Sequence, residues 1–141
     1  PKPSLIFSTF LPALQGAQTK MAASDENSCI YISDTPKQIK NKINKYAFSG
    51  GQQTVEEHRE KGGNCDIDIS FQFLRFFLDD DEKLEEIRES YTSGKLLTGE
   101  LKAIAIAEVT RVISEMQDRR KNVTDETVKE FTAIRALKYK Y

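Results

Sequence analysis

The stretch DIDISFQFLRFFL, Asp66 to Leu78, decides the fold. Its first residues alternate apolar and polar, as in a half-buried strand. Ile67, Phe71, Leu74 and Leu78 also recur at helical spacing. We read it as a helix, with Asp66 or Asp68 as the N-cap. Everything after Ser33 is then helical.

The flanks carry their own helix signals. Upstream, Thr35 can be an N-cap, Pro36 sits at the first helical position, and Gln38 completes a capping box. Ile39, Ile43, Tyr46 and Ala47 form one face, while Lys37, Lys40, Lys42 and Lys45 occupy the others with no acid between them. Phe48-Ser-Gly-Gly51 ends this helix. Thr54 with Glu57 opens a short charged helix that stops near Gly62-Gly63. Downstream, Asp80 or Asp81 caps LEEIRESY, which ends at Gly94. Thr98 then opens the longest helix, with Leu101, Ile104, Ala105, Val109, Val112, Ile113 and Met116 as its apolar stripe. Arg119-Arg-Lys121 sits where cations suit a helix C-terminus. Thr124 caps a last helix through Val128 and Phe131.

Before Ser33 the pattern differs. Leu5 to Phe7 reads as a buried strand and Cys29 to Ile32 as a second short apolar run, with the loop GAQTKMAAS, Gly16 to Ser24, between them. The expectation is a mainly α chain. Residues 1–33 form a strand-and-loop piece, and residues 34–141 form an all-helical unit of ordinary domain size.

Composition bounds the function. The chain has 141 residues, 30% charged and 38% hydrophobic, with a formal net charge of -1. It fits one domain, or one domain with a piece of another, and its overall charge points to no nucleic-acid partner. Two cysteines, Cys29 and Cys65, are too few for a disulfide framework and read as reduced thiols. One histidine, His58, leaves no zinc set. No apolar run approaches ~18 residues, so no membrane span is expected. PKPSLIF lacks a signal-peptide pattern, and the chain begins as if cut from something longer.

Several stretches could carry chemistry. In GAQTKMAAS, Lys20 stands among small residues and could reach a phosphate unobstructed; lysine offers three donors on a compact charge. Small neighbours also let backbone N–H groups approach an anion. The plainer reading is a surface loop. The lysine-rich helix tilts toward phosphate contact because no acid compensates it. Asp79 to Glu89 holds seven acids, but these favour a helix start and lack EF-hand spacing, so no metal site is expected. Phe71, Phe73, Phe76 and Phe77 read as core rather than as a stacking platform. His58 with Cys65 lacks an orienting acid and is not read as a nucleophile pair. Asn122-Val-Thr124 matches a glycosylation sequon but is read only as the Thr124 cap.

KMAAS, Lys20 to Ser24, resembles the KMSKS signature of class I aminoacyl-tRNA synthetases. The flanks PKPSLIFSTFLPALQGAQTKMAASD are similar to the segment around that signature in eukaryotic cytoplasmic tryptophanyl-tRNA synthetases, where it usually reads KMSAS. DTPKQIKNKINKYAFSGG, EEHREKGGNCDIDISF, FFLDDDEKL, YTSGKLLTGELK and VKEF resemble that family too.

The resemblance implies ligation of tryptophan to tRNA(Trp) by way of tryptophanyl-adenylate, with ATP as substrate and Mg2+ accompanying it. It implies that Lys20 is the catalytic cation, stabilising charge on the departing pyrophosphate. Lys20, Met21, Ala22, Ala23 and Ser24 would form the ATP-closing loop. It further implies that residues 1–33 close a Rossmann-type catalytic domain and that residues 34–141 bind the anticodon. Contacts there would come from Gly50, Gly51, Gln52 and Gln53, with Lys102 and Arg119 on roughly one face of the longest helix. Glycines would permit close approach, and the glutamines could read base edges. The family works as a homodimer in the cytoplasm.

The sequence departs from the family at Ala22, where the missing hydroxyl removes any hydrogen bond it made to ATP, and at Gln52 and Gln53, where charged residues are frequent. No HIGH-type motif or tryptophan pocket occurs among these residues, so this chain by itself is expected to be inactive. The alternative reading is a non-catalytic helical module that binds RNA or protein.

Overall fold

The computed structural model describes residues 6, 10–16, 19 and 21–134. Among these the chain is mainly α, with six helices: α1 Pro36–Tyr46, α2 Val55–Lys61, α3 Ile69–Phe77, α4 Asp81–Thr92, α5 Thr98–Lys121 and α6 Asp125–Thr132. The deciding stretch is therefore helical. Asp68 caps it, accepting from the amides of Ser70 at 2.9 Å and Phe71 at 3.2 Å.

The ambiguity of that stretch has a physical cause. Helix α3 is buried on two sides. Ile69 and Phe73 join a cluster with Leu14, Ile39, Ile43, Ala47 and Val109. Phe71 and Leu74 join a second cluster with Cys65, Ile87, Tyr91, Leu101 and Ala105. A helix buried on two sides needs apolar residues at nearly every step, which blurs its period. Ile67 precedes the helix and is exposed, so it takes no part in the apparent 67–71–74–78 stripe. Helices α3 and α1 both pack on α5, and α4 closes the side of the second cluster.

The helix boundaries follow local side-chain chemistry. Thr35 and Gln38 form a full capping box, with the Thr35 amide donating to Gln38 Oε1 at 2.8 Å. Thr54 caps α2 through the Glu57 amide at 3.1 Å, and Gly62 ends that helix in the left-handed region at φ 72°. Asp80 caps α4. Thr98 is the first residue of α5 rather than its cap; the preceding Leu97 amide donates to Glu100 at 2.7 Å. Thr124 caps α6. In the expected α5 stripe Leu101, Ala105 and Val109 are buried, while Met116 is 37% exposed. Helix α6 buries none of its residues, so the last turns of α5 and all of α6 project past the core.

Ahead of α1 the described residues contain no β-strand, only an isolated antiparallel bridge between Ala13 and Gly16. The strand expected over Leu5–Phe7 lies outside the described residues apart from Ile6. The apolar run at Cys29 to Ile32 is not a strand. Cys29 is buried, Ile30 packs beneath the first cluster and Ile32 is exposed. Backbone groups here pair with one another and with the α1–α2 loop instead of a sheet: the Leu14 amide donates to Ser28 O at 2.9 Å, and the Phe48 amide to Leu14 O at 2.8 Å. Leu14 is fully buried, so this leading segment shares a core with the helices.

Candidate functional site

The candidate residues fall in two places, at opposite ends of α5. The first is the second half of the KMAAS loop. Lys20 lies outside the described residues. From Met21 onward the loop is tied down. Ser28 Oγ accepts from the Ala22 amide at 3.1 Å and itself lies 3.0 Å from the Ala22 carbonyl and 2.8 Å from that of Asp25. The Tyr31 hydroxyl donates to the Ala23 carbonyl at 2.7 Å. Met21 lines an apolar cavity of about 250 Å³ together with Ile30, Phe73, Phe77, Val109 and Met116. Ala23 and Ser24 are exposed. The Ala22 N–H is thus engaged by Ser28 here rather than presented to an anion.

The second place is the turn after α1. Gly50 and Gly51 face inward, not outward. The Gly50 amide donates to Asp68 Oδ2 at 2.8 Å and its carbonyl accepts from the Asn64 amide at 2.8 Å. A Cβ on Gly50 would stand 2.0 Å from the Asn64 carbonyl oxygen, and one on Gly51 2.2 Å from Thr98 Oγ1. These glycines let backbone approach a buried polar cluster of Asp68, Tyr91, Thr98, Ser49 and His58. Tyr91 donates to Asp68 Oδ2 at 2.8 Å, and its hydroxyl lies 3.3 Å from Thr98 Oγ1. Burial pushes the Tyr91 phenol up to about 12. His58 Nε2 lies 2.9 Å from Leu96 O and Nδ1 3.4 Å from the Gln52 amide, which fixes the ring as a brace.

Gln52 and Gln53 are exposed at the mouth of a cleft of about 370 Å³, walled opposite by Leu97, Thr98, Gly99 and Glu100 at the start of α5. Gln52 Nε2 already donates to Gly62 O at 3.0 Å, leaving its carbonyl oxygen for a ligand. Lys102 stands one turn along α5 from Thr98. Its ammonium reaches back to Asn44 O at 3.2 Å, in the last turn of α1. Burial lowers its pKa. Arg119 is 69% exposed and 4.0 Å from Glu115. The two do not share a face. Seventeen residues of helix separate them by about 25 Å and leave them roughly a quarter-turn apart.

The lysines of α1 also divide. Lys37, Lys40 and Lys45 are exposed. Lys42 has an acid after all, supplied from outside the helix: Asp34 Oδ2 at 2.6 Å, with side chains only 13% and 4% exposed. It also stands 4.2 Å from the centroid of the Tyr31 ring. Phe71 and Phe73 are core residues and Phe77 is half-buried, whereas Phe76 is exposed. His58 and Cys65 are both buried, and burial pushes the Cys65 thiol up, which suits no nucleophile. Among the described residues no three His, Cys, Asp or Glu side chains converge as a metal site, and no helix is long and apolar enough to cross a membrane.

The sequence reading missed Ser28, Tyr31, Asp34 and Gln117, which hold the segment before α1 in place. It also missed the Asp68–Tyr91 pair. Asp68 had a sequence signal as a cap, but the other side of its carboxylate is used across 23 residues, and no local pattern marks that.

Residues 1–114 match the family described as tRNA synthetases class I (W and Y). The chain is 64% identical over all 141 residues to the cytoplasmic tryptophan–tRNA ligase of Bos taurus and 62% identical to that of Homo sapiens. It spans 30% of the length of each. The fold matches a tryptophanyl-tRNA synthetase from Giardia lamblia with a TM-score of 0.85 at 51% identity, over 89% of this chain and 31% of that one.

Proposed function

The chain belongs to the class I tRNA synthetases of the tryptophan and tyrosine branch, and from that premise we propose that it is part of a cytoplasmic tryptophan–tRNA ligase. The observation that carries this is the 64% identity to such a ligase across every residue of the chain, KMAAS loop included. In this reading the complete protein joins tryptophan to ATP, releases pyrophosphate, and passes the aminoacyl group to tRNA(Trp). Mg2+ enters on the ATP phosphates.

Residues 1–33 complete the Rossmann-type catalytic domain and residues 34–141 form the anticodon-binding domain, with the two halves packed through Leu14. Lys20 neutralises charge on the leaving pyrophosphate. Met21, Ala22, Ala23 and Ser24 complete the loop that closes on ATP. Its anchored second half supports this, because a lid needs a fixed end. Gln52 and Gln53 offer amides to anticodon bases at the mouth of the α5 cleft, and Gly50 and Gly51 keep that turn against the core. Lys102 sets the end of α1 beside the cleft. Arg119 contacts RNA backbone farther along α5, where a phosphate needs only a charge. The complete protein acts as a homodimer.

The test is charging by the complete protein. A tRNA(Trp) transcript should accept tryptophan and not tyrosine. A protein that binds the transcript but charges it with neither amino acid would instead be a helical RNA-binding module.

A further inference from the structure

Helix α1 carries four lysines and no Asp or Glu among its eleven residues. Of these, Lys42 is paired with Asp34 ahead of the helix. At 3.6 residues per turn Lys37, Lys40, Asn41, Asn44 and Lys45 share one arc of about 140°. All five are exposed, and the arc lies opposite Ile39 and Ile43, which the helix buries. Among the described residues no acid pairs with Lys37, Lys40 or Lys45. The Lys45 ammonium lies 5.1 Å from the centre of the Tyr46 ring. On α2, α4 and α5, by contrast, Lys61, Arg88, Arg111, Arg119 and Lys121 each have an acid three or four residues away.

Helix stability does not explain this face. Lys37 stands in the first turn, where the helix dipole favours an acid and none is present. Lys37 and Lys40 are three residues apart and repel each other. The face holds no apolar side chain, so it offers no anchor to a protein interface core or to a bilayer. Cations interleaved with amides suit phosphate and sugar oxygens. The face also has a direction. Its C-terminal end runs into the turn that carries Gln52 and Gln53, and Asn44 O accepts from Lys102 on α5. From that end the lysines lead back over about 12 Å, from Lys45 to Lys37.

We propose that the Lys37, Lys40 and Lys45 face of α1 binds the sugar–phosphate backbone of the tRNA anticodon stem. This rests on the ligase reading above, which puts anticodon bases at the α5 cleft. The stem is the duplex that continues from those bases, and duplex RNA is held through its phosphates and 2′-hydroxyls rather than its base edges. The three ammonium groups meet phosphates, and the Asn41 and Asn44 amides meet phosphate or 2′ oxygens. The contact carries no sequence information. It sets the register in which Gln52 and Gln53 meet the bases.

The experiment uses the complete protein with Lys37→Gln, Lys40→Gln and Lys45→Gln combined. A charge-matched control combines Lys61→Gln, Lys83→Gln and Lys129→Gln, on α2, α4 and α6. Binding of a tRNA(Trp) transcript is followed from about 50 to about 200 mM salt. In the α1 variant the slope of log K against log salt should shrink by roughly two to three units, about one per phosphate contact, and affinity should fall at least about tenfold. The isolated anticodon stem-loop RNA should show the same difference. The melting temperature should hold or rise, because the repulsion within α1 is gone. The control should keep the unsubstituted slope, and arginine at the three α1 positions should restore it. An unchanged slope in the α1 variant overturns the proposal. So does an equal loss in the control, which would make it an effect of net charge, or a loss absent from the stem-loop, which would move the contact to another arm. A fall in melting temperature in step with the lost affinity would make the lysines structural and overturn it too. An unsubstituted protein that binds the transcript yet charges no tryptophan would instead overturn the ligase reading and leave α1 as an RNA surface.

Discussion

The Tyr91 hydroxyl donates to Asp68 Oδ2 across 2.8 Å, and both side chains are fully buried. Asp68 also accepts from the amides of Gly50, Ser70 and Phe71. One carboxylate thus starts α3, receives α4 and pins the turn that carries Gln52 and Gln53. The candidate RNA-reading turn is held by the core, not by a surface loop.

Tyr91→Phe should lower the stability of the complete protein by about 1–2 kcal/mol, the usual cost of a lost buried hydrogen bond. The pH dependence has a definite sign. The folded phenol is raised to about 12 from 10.0, so folding favours the neutral form. That contribution is whole below pH 10 and is lost as pH rises through 12. Urea melts between those pH values should show a steeper loss in the unsubstituted protein than in Tyr91→Phe. Parallel slopes would remove Tyr91 as the cause.

Gly50→Ala should be worse than Gly51→Ala. The new Cβ at 50 meets a backbone carbonyl at 2.0 Å, which cannot turn aside; at 51 it meets the Thr98 hydroxyl at 2.2 Å, which can. The expected cost is about 3 kcal/mol at 50 and nearer 1 kcal/mol at 51, the two ends of the overpacking range. Thermal melts of both variants check the order.

Two ion pairs of the same length should behave differently. Lys42–Asp34 and Lys121–Asp118 both measure 2.6 Å, but the first is nearly buried and the second is 75% and 69% exposed. Lys42→Met should cost about 3 kcal/mol by stranding a buried carboxylate. Lys121→Met should cost no more than about 0.5 kcal/mol. Equal losses in denaturant titrations would contradict the distinction.

Lys102 and Arg119 should separate in a tRNA-binding assay. Arg119→Ala should weaken binding while leaving the melting temperature unchanged, and should reduce the dependence of log K on log salt by about one unit. Lys102→Ala should lower the melting temperature as well, because its ammonium serves the last turn of α1. Identical profiles would refute the different roles.

Most of the helical order was legible because its signals are local. Thr35 with Gln38, Thr54, Asp68, Asp80 and Thr124 announce helix starts within three or four residues, and the structure uses each. Thr98 was off by one position because Leu97, which has no capping side chain, occupies the cap and Glu100 serves its amide. Cys29 to Ile32 is apolar without being a strand, because a strand exists only with a neighbour to pair with, and among the described residues none pairs with it. The KMAAS loop was recognisable by its wording, but its anchors, Ser28 and Tyr31, are an ordinary serine and tyrosine outside the motif. Gly50 and Gly51 looked like an open approach to a ligand. Whether a glycine faces solvent or a buried carboxylate depends on Asp68, 18 residues away, and local sequence does not encode that.

In the proposed ligase, this chain carries the ATP-closing loop and Lys20 is its working charge. The direct measurement is tryptophan-dependent ATP–pyrophosphate exchange by the complete protein and its Lys20→Ala variant, beside the Kd of each for tRNA(Trp). Exchange by Lys20→Ala should fall roughly a hundredfold to a thousandfold, the scale of a lost transition-state charge partner, with tRNA affinity unchanged. Exchange at the unsubstituted rate, or loss of tRNA binding in step with it, would rule out that role for Lys20.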